Sequence, residues 1–161
     1  MDYVVSTREV PEQPIISIRE RIGPSEISSF LGRSFADLYG HVGLLGVAPS
    51  GHPFVIYHEF GTEAIDAEVC VPLAHEIRAS GRIESRILEP ATVAQTLHVG
   101  PYDELHVAYG ALNVWIRDHD FEVAGPVRER YLNGPDTVRS PSGYRTEIEM
   151  PIVPVRIPAT V

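Results

Sequence analysis

The chain holds 161 residues, a length that fits one domain or two small modules sharing a core and excludes a fusion of two enzymes. With 43% hydrophobic and 22% charged residues it has enough apolar material to fill a core, which excludes wholesale disorder. The 13 Lys and Arg stand against 22 Asp and Glu, and a net charge of −9 repels phosphate backbones; a cationic ligand or basic partner suits it better than a nucleic acid.

A single cysteine, Cys70, makes no internal disulfide, and the opening Met1-Asp2-Tyr3-Val4-Val5 lacks the basic and long apolar regions of a secretory signal. No apolar run nears the roughly 18 residues that cross a membrane. A cytoplasmic protein without membrane contact is the expectation. The seven histidines, at 41, 52, 58, 75, 98, 106 and 119, form no His-x-x-x-His pair, and there is no Cys-x-x-Cys. Neither a metal nor another cofactor is expected.

Residues 1–13 read as an N-terminal tail. Ile16, Ile18 and Ile22 then alternate with polar residues, the period of a half-buried strand, and Gly23-Pro24 stops it. Ser25 is placed to cap a helix whose apolar residues Ile27, Phe30, Leu31, Phe35, Leu38 and Val42 recur at steps of about three and four. Glycines at 40, 43 and 46 mark its end. Strand-like runs at 54–60 and 67–72 complete a β-α-β-β unit. Residues 83–89 read as an extension, across Pro90, of the strand at 93–99. A helix from 102 to about 119 follows, then strands at 128–132 and 144–152, separated by a turn-rich loop over 133–143.

The order of elements is duplicated, and so are some residues. Arg21-Ile22-Gly23-Pro24-Ser25-Glu26-Ile27 returns as His98-Val99-Gly100-Pro101-Tyr102-Asp103-Glu104-Leu105, the Gly-Pro pair 77 positions on. Ala67-Glu68-Val69-Cys70-Val71-Pro72 returns as Thr146-Glu147-Ile148-Glu149-Met150-Pro151, offset by 79. The fold class is therefore α+β. One domain over 14–161 is built from two β-α-β-β modules, about 14–76 and 82–155. Units of about 75 residues are too small to stand comfortably alone, so they share one antiparallel sheet. Two helices cover one face, and a ligand cleft is expected on the other.

Alternation assigns side chains to faces within each strand. Ile148 and Met150 claim the helix side, which sends Glu147 and Glu149 to the opposite face, and Val69 and Val71 do the same to Glu68 and Cys70. Glu129 and Tyr131 share a face, as do Val55 and Tyr57. The expectation is a groove edged by tyrosines and carboxylates, with the charge and π-faces to hold a lipophilic cation. Tyr109 and Trp115 fall on the apolar stripe of the second helix with Leu105, Ala108, Leu112 and Ile116, which reads as core. His98, at a strand end, reads as a partner for a backbone carbonyl or carboxylate.

Several segments, taken in order and spacing, resemble the GyrI-like small-molecule binding domain. They are Val99-Gly100-Pro101-Tyr102-Asp103-Glu104-Leu105, Trp115-Ile116, residues 125–132 (Gly-Pro-Val-Arg-Glu-Arg-Tyr-Leu) and Thr146-Glu147-Ile148-Glu149-Met150-Pro151-Ile152. In the first half, Phe54-Val55-Ile56-Tyr57-His58 and residues 67–72 resemble the matching segments of AraC-type and BmrR-type effector-binding domains. The resemblance covers about residues 15–155 and implies a cleft between the modules that takes bulky, often cationic aromatic compounds through tyrosines and a buried glutamate. Carried onto this chain, that glutamate is Glu147, with Glu129 and Tyr131 beside it and Tyr57, Tyr102, Tyr109 and Trp115 as further ligand-binding candidates.

The regulators carry a DNA-binding domain ahead of this one. The present sequence does not, so it resembles the stand-alone members. Capture or sensing of a lipophilic, cationic or aromatic small molecule, in the manner of multidrug binding, is the first expectation. The alternative is a hydrolase that opens strained cyclopropyl rings of DNA-alkylating natural products, with Glu147 as general base and Tyr131 polarising the substrate carbonyl. A topoisomerase-protecting interaction rests on the resemblance alone.

Overall fold

The structure, a computed structural model, describes residues 2–156. Its strands are β1 (Ser6–Val10), β2 (Gln13–Ile22), β3 (Phe54–Phe60), β4 (Ile65–Pro72), β5 (Glu84–Leu88), β6 (Ala91–Val99), β7 (Phe121–Val123), β8 (Val127–Tyr131) and β9 (Arg145–Pro154). The helices are α1 (Ile27–Leu45) and α2 (Leu105–Asp118). All strand pairings are antiparallel, in the order β1-β6-β9-β8-β3-β4-β2-β5, with β7 on the end of β9.

That order reads the same from either end once β2-α1-β3-β4 is exchanged with β6-α2-β8-β9, so the duplication expected from the sequence is the architecture. The modules meet where β3 pairs with β8, Val55 opposite Glu129 and Ile56 opposite Arg128. Two lead-in segments differ from the sequence reading, and β7 is a strand that it did not expect. Residues 6–10, read as tail, form β1 and pair with β6; residues 84–88, read as the start of β6, form β5 and pair with β2. Each lead-in strand thus crosses to the edge of the other module. An edge strand offers a row of free N–H and C=O groups, and β1 and β5 satisfy the outer rows of β6 and β2.

The helices take their places from side-chain period. Phe30, Ser34, Leu38 and Val42 recur every fourth residue along α1 and are buried on the sheet. Leu105, Ala108, Leu112 and Ile116, at steps of three and four, are buried in the same way along α2. Both helices are preceded by a 3-10 turn at a Gly-Pro pair, Pro24–Glu26 beginning on the proline and Tyr102–Glu104 just after it. Helix α1 therefore starts at Ile27 without the Ser25 cap expected. Gly40 and Gly43 lie within α1, and only Gly46, at φ 66°, terminates it, its N–H reaching back to the Gly43 carbonyl at 3.2 Å.

Each helix has its own core. Ile16, Ile18, Val55, Val69 and Val71 pack beneath α1, and Ala94, Ile148, Met150 and Ile152 beneath α2. Val127 touches both groups and bridges them. The helix-free face is not open. The sheet curls, and on that side Ile15, Phe54, Ile56, Cys70 and Leu88 form a third buried cluster. Glu68 is buried there against Arg86 and His58, and Glu149 against Arg130. No helix among the described residues is long and apolar enough to cross a membrane.

Candidate functional site

A cavity of about 1440 Å³ opens between the two helices, on the helix side of the sheet rather than on the helix-free face where the cleft was expected. Its walls are a second stripe on each helix, beside the buried one. On α1 these are Ile27, Leu31, Phe35 and Tyr39; on α2, His106, Tyr109 and Asn113. Gly32 and Gly110 face the space from mid-helix, 78 positions apart, and a methyl group at either would touch nothing within 4 Å. Glycine inside a helix costs about 1 kcal/mol relative to alanine. Here the missing side chains widen the cavity. Strand residues Tyr57, Val127, Glu129 and Tyr131 make the floor, and the loop over 132–137 closes one end with Tyr102.

Glu129 stands on that floor, only 6% exposed. The β8–β9 register explains why: Glu129 lies opposite Ile148, so the two share the helix side. Tyr131 donates its O–H to Glu129 Oε1 at 2.9 Å, and Tyr109 on α2 donates to Oε2. Since the Tyr131 proton is committed, the Tyr57 hydroxyl 3.4 Å away donates to the Tyr131 oxygen. A chain of phenols thus converges on one carboxylate. Burial raises the Glu129 pKa, and the two phenolic hydrogen bonds oppose that rise without cancelling it. Burial, with the Glu129 charge next to them, also pushes the Tyr57, Tyr109 and Tyr131 phenols up, so all three stay protonated donors.

Comparison among the buried carboxylates isolates Glu129. Glu68, 1% exposed, faces Arg86 at 2.8 Å and His58 at 2.9 Å; burial raises its pKa, but these hydrogen bonds win and the net shift is downward. Glu149, also 1% exposed, accepts from Arg130 at 3.1 Å. Glu129 has phenols and, among the described residues, no cationic partner. An ionised carboxylate in an apolar site is costly until a cation completes it.

Of the residues expected from sequence, the structure brings together Glu129, Tyr131, Tyr57, Tyr102 and Tyr109 in this cavity. Tyr102 stacks on Tyr144 with ring centres 4.8 Å apart and meets Tyr131 edge-on at 5.9 Å. Glu147 does not join them. It lies on the opposite face, 3.8 Å from both Arg130 and Arg8, because its neighbours Thr146 and Ile148 take the helix side. Trp115 also stands apart, stacked with His119 and with Phe121 at 4.1 and 5.9 Å. Tyr109, read as core, is a hydrogen-bond partner of Glu129 instead. His98 is buried and bonds the Pro101 carbonyl at 3.0 Å and the Tyr3 hydroxyl at 2.7 Å, a structural role. Sequence reasoning missed Phe60, Tyr39 and the cavity glycines as site residues. For Tyr39 the signal is an apolar stripe on α1 wider than packing on one sheet requires.

The fold and this cavity together define a small-molecule binding domain. The GyrI-like small molecule binding domain matches residues 4–153, and the chain belongs to that family. It is related to the effector-binding domains of regulators. The C-terminal domain of EcmrR superposes with a TM-score of 0.77 at 25% identity, over 96% of this chain and all of that domain. In the EcmrR–DNA complex the TM-score is 0.84, also at 25% identity, over 95% of this chain; the chain spans only 58% of EcmrR there. SAV2435 bound to tetraphenylphosphonium (TM-score 0.66, 15% identity, 95% and 94% coverage) shares the fold. So does a hydrolase from Listeria innocua (TM-score 0.70, 14%, 92% and 91%). No curated protein matches the chain.

Proposed function

We propose that this protein captures a bulky, lipophilic, cationic aromatic compound between its helices, with Glu129 as the counter-charge. One observation carries the reading: of the three most buried glutamates, the one in the large cavity is the one without a basic side chain. The cavity exceeds the range of about 300–1,000 Å³ common for drug-sized ligands, which suits a bulky compound. Phe35, Phe60 and five tyrosines (39, 57, 102, 109 and 131) offer π-faces that attract a delocalised cation. Glu147, on the opposite face, is not among the residues that line this cavity.

Tetraphenylphosphonium, the compound bound by SAV2435, is a fitting probe. Calorimetric titration of the parent and of Glu129→Gln, with Glu147→Gln as control, tests the assignment. The Glu129 variant binds about 10- to 150-fold more weakly, the effect expected when a buried counter-charge is removed, and the Glu147 variant binds as the parent does. Equal affinity in all three removes Glu129 from the site.

The raised Glu129 carboxyl beside two phenols also favours a second reading, hydrolysis of a strained cyclopropyl electrophile. Glu129 takes a proton from water, the new C–O bond forms as the ring C–C bond breaks, and the electron pair moves to a carbonyl oxygen polarised by a hydrogen bond from Tyr131 or Tyr109, which the proton held by Glu129 then neutralises. Product formed by excess parent protein, and reduced about 100-fold or more by Glu129→Gln, supports this reading; a buffer-level rate with both rejects it.

A further inference from the structure

Alternation along β8 turns Arg128 and Arg130 to the face opposite Glu129 and Tyr131. There a separate cavity of about 340 Å³ is lined by Arg8 of β1, both β8 arginines and Glu147, with Phe54 and Leu88 as an apolar wall. Arg130 is fully engaged: it bonds Glu149 at 3.1 Å and the His52 carbonyl at 3.1 Å, and lies 4.5 Å over the Phe54 ring. Arg128 is not. It is 9% exposed, its Nε is buried without a partner, and it makes no hydrogen bond among the described residues. Glu149, opposite it in register, gives Oε1 to Arg130, and its Oε2 is likewise buried without a partner. Burial pulls the Arg128 pKa down against the attraction of Glu149.

A buried guanidinium without an acceptor costs free energy, and a ligand carrying two coplanar oxygens satisfies it bidentately. Charge narrows the choice. Three of the chain's 13 cationic side chains line this one cavity, set against Glu147 at its wall and Glu149 behind Arg130. The balance is a single positive charge, suited to a monoanion and not to a phosphate dianion. We propose that this cavity is a second ligand site, binding a small organic carboxylate through Arg128, with Arg8 at the mouth and the apolar part of the ligand against Phe54 and Leu88. Its volume lies at the small end of ligand pockets, so it takes a compound of benzoate size. The site is independent of the ligand assigned to the larger cavity.

Benzoate is the probe and benzamide, the same ring without the charge, its control. Titration is followed by calorimetry and by the ¹H–¹⁵N resonance of Arg128 Nε. The expected result is saturable benzoate binding that shifts this resonance, with benzamide at least about tenfold weaker. Arg128→Met abolishes the binding. Arg8→Ala, at a half-exposed side chain that makes no hydrogen bond among the described residues, weakens it about threefold and leaves tetraphenylphosphonium binding as it was. If Arg128→Met does not fold, Arg8→Ala and the parent's resonance decide. The proposal is overturned by absence of saturation up to about 20 mM, an affinity below any useful site. Equal binding of benzamide overturns it, and so does an Arg128 resonance unmoved by benzoate, as for a resident bridging water.

Discussion

Protonating Glu129 removes the charge that the larger cavity offers a cation, so affinity for tetraphenylphosphonium should fall as pH falls through the Glu129 pKa. Burial holds that pKa above the ordinary carboxylate value of about 4.3, so the fall begins at a higher pH than an exposed glutamate would give. The phenyl groups keep the phosphorus about 5 Å from the carboxylate; at an effective dielectric constant of about 20 the attraction is about 3 kcal/mol, or roughly 150-fold in affinity. Below the pKa each pH unit costs up to about tenfold, until the neutral carboxyl's affinity is reached. Calorimetric titrations between about pH 4 and 8, in buffers of different ionisation enthalpy, measure both the affinity and the proton released on binding. Glu129→Gln should give a flat, low profile. A flat profile in the parent, or the same slope in the variant, refutes the argument. Stability of the free protein runs the same way with respect to the carboxyl's preference for its proton. The folded-state pKa lies above the unfolded one, so in that window the folded protein binds more protons and this group's contribution falls as pH rises. Glu129→Gln should abolish that component of the slope in chemical denaturation.

Gly110→Leu should fill open space at the cavity wall, weakening tetraphenylphosphonium by about tenfold or more, while the denaturation midpoint stays level or rises because leucine is the better helix former. Leu112, fully buried on the α2 stripe, should cost about 3 kcal/mol as Leu112→Ala, a fall of about 6–12 °C in Tm by calorimetry. Arg86→Met should strand the buried Glu68 carboxylate and cost roughly 3 kcal/mol at neutral pH, measured by urea titration. The Glu68 pKa is held low in the folded protein, so its contribution is present above the unfolded value of about 4.3 and disappears as pH falls through the folded value. The gap between parent and Arg86→Met should therefore narrow in acid.

The architecture was legible in the sequence because duplication and side-chain period are local properties of the chain. Two Gly-Pro pairs, each between a strand and a helix, mark the modules, and the apolar residues at 27, 30, 31, 35, 38 and 42 and at 105, 108, 112 and 116 mark the helices. Strands β1 and β5 were not legible as sheet edges. Their partners lie in the other module, and nothing in residues 6–10 or 84–88 announces a pairing with β6 or β2. The five cavity residues Glu129, Tyr131, Tyr57, Tyr102 and Tyr109 could be named, yet the face on which they gather could not.

The reason lies in what alternation determines. Within β9 it separates Glu147 from Ile148, and within β8 it separates Glu129 from Arg130, but it leaves open which set of one strand faces which set of the next. Register decides that, and the register places Glu129 opposite Ile148 and Arg130 opposite Glu147. A slip of one residue would have put Glu129 with Glu147, the grouping expected from sequence, and buried two carboxylates side by side against like-charge repulsion. The observed register instead gives Glu147 an arginine across the strand and leaves Glu129 among phenols beneath the helices. Strand β8 thereby presents a carboxylate to one cavity and two guanidinium groups to the other, in three consecutive residues. Opposite ligand charges on the two faces follow from that alternation, and the Glu129 and Arg128 substitutions test the two faces separately.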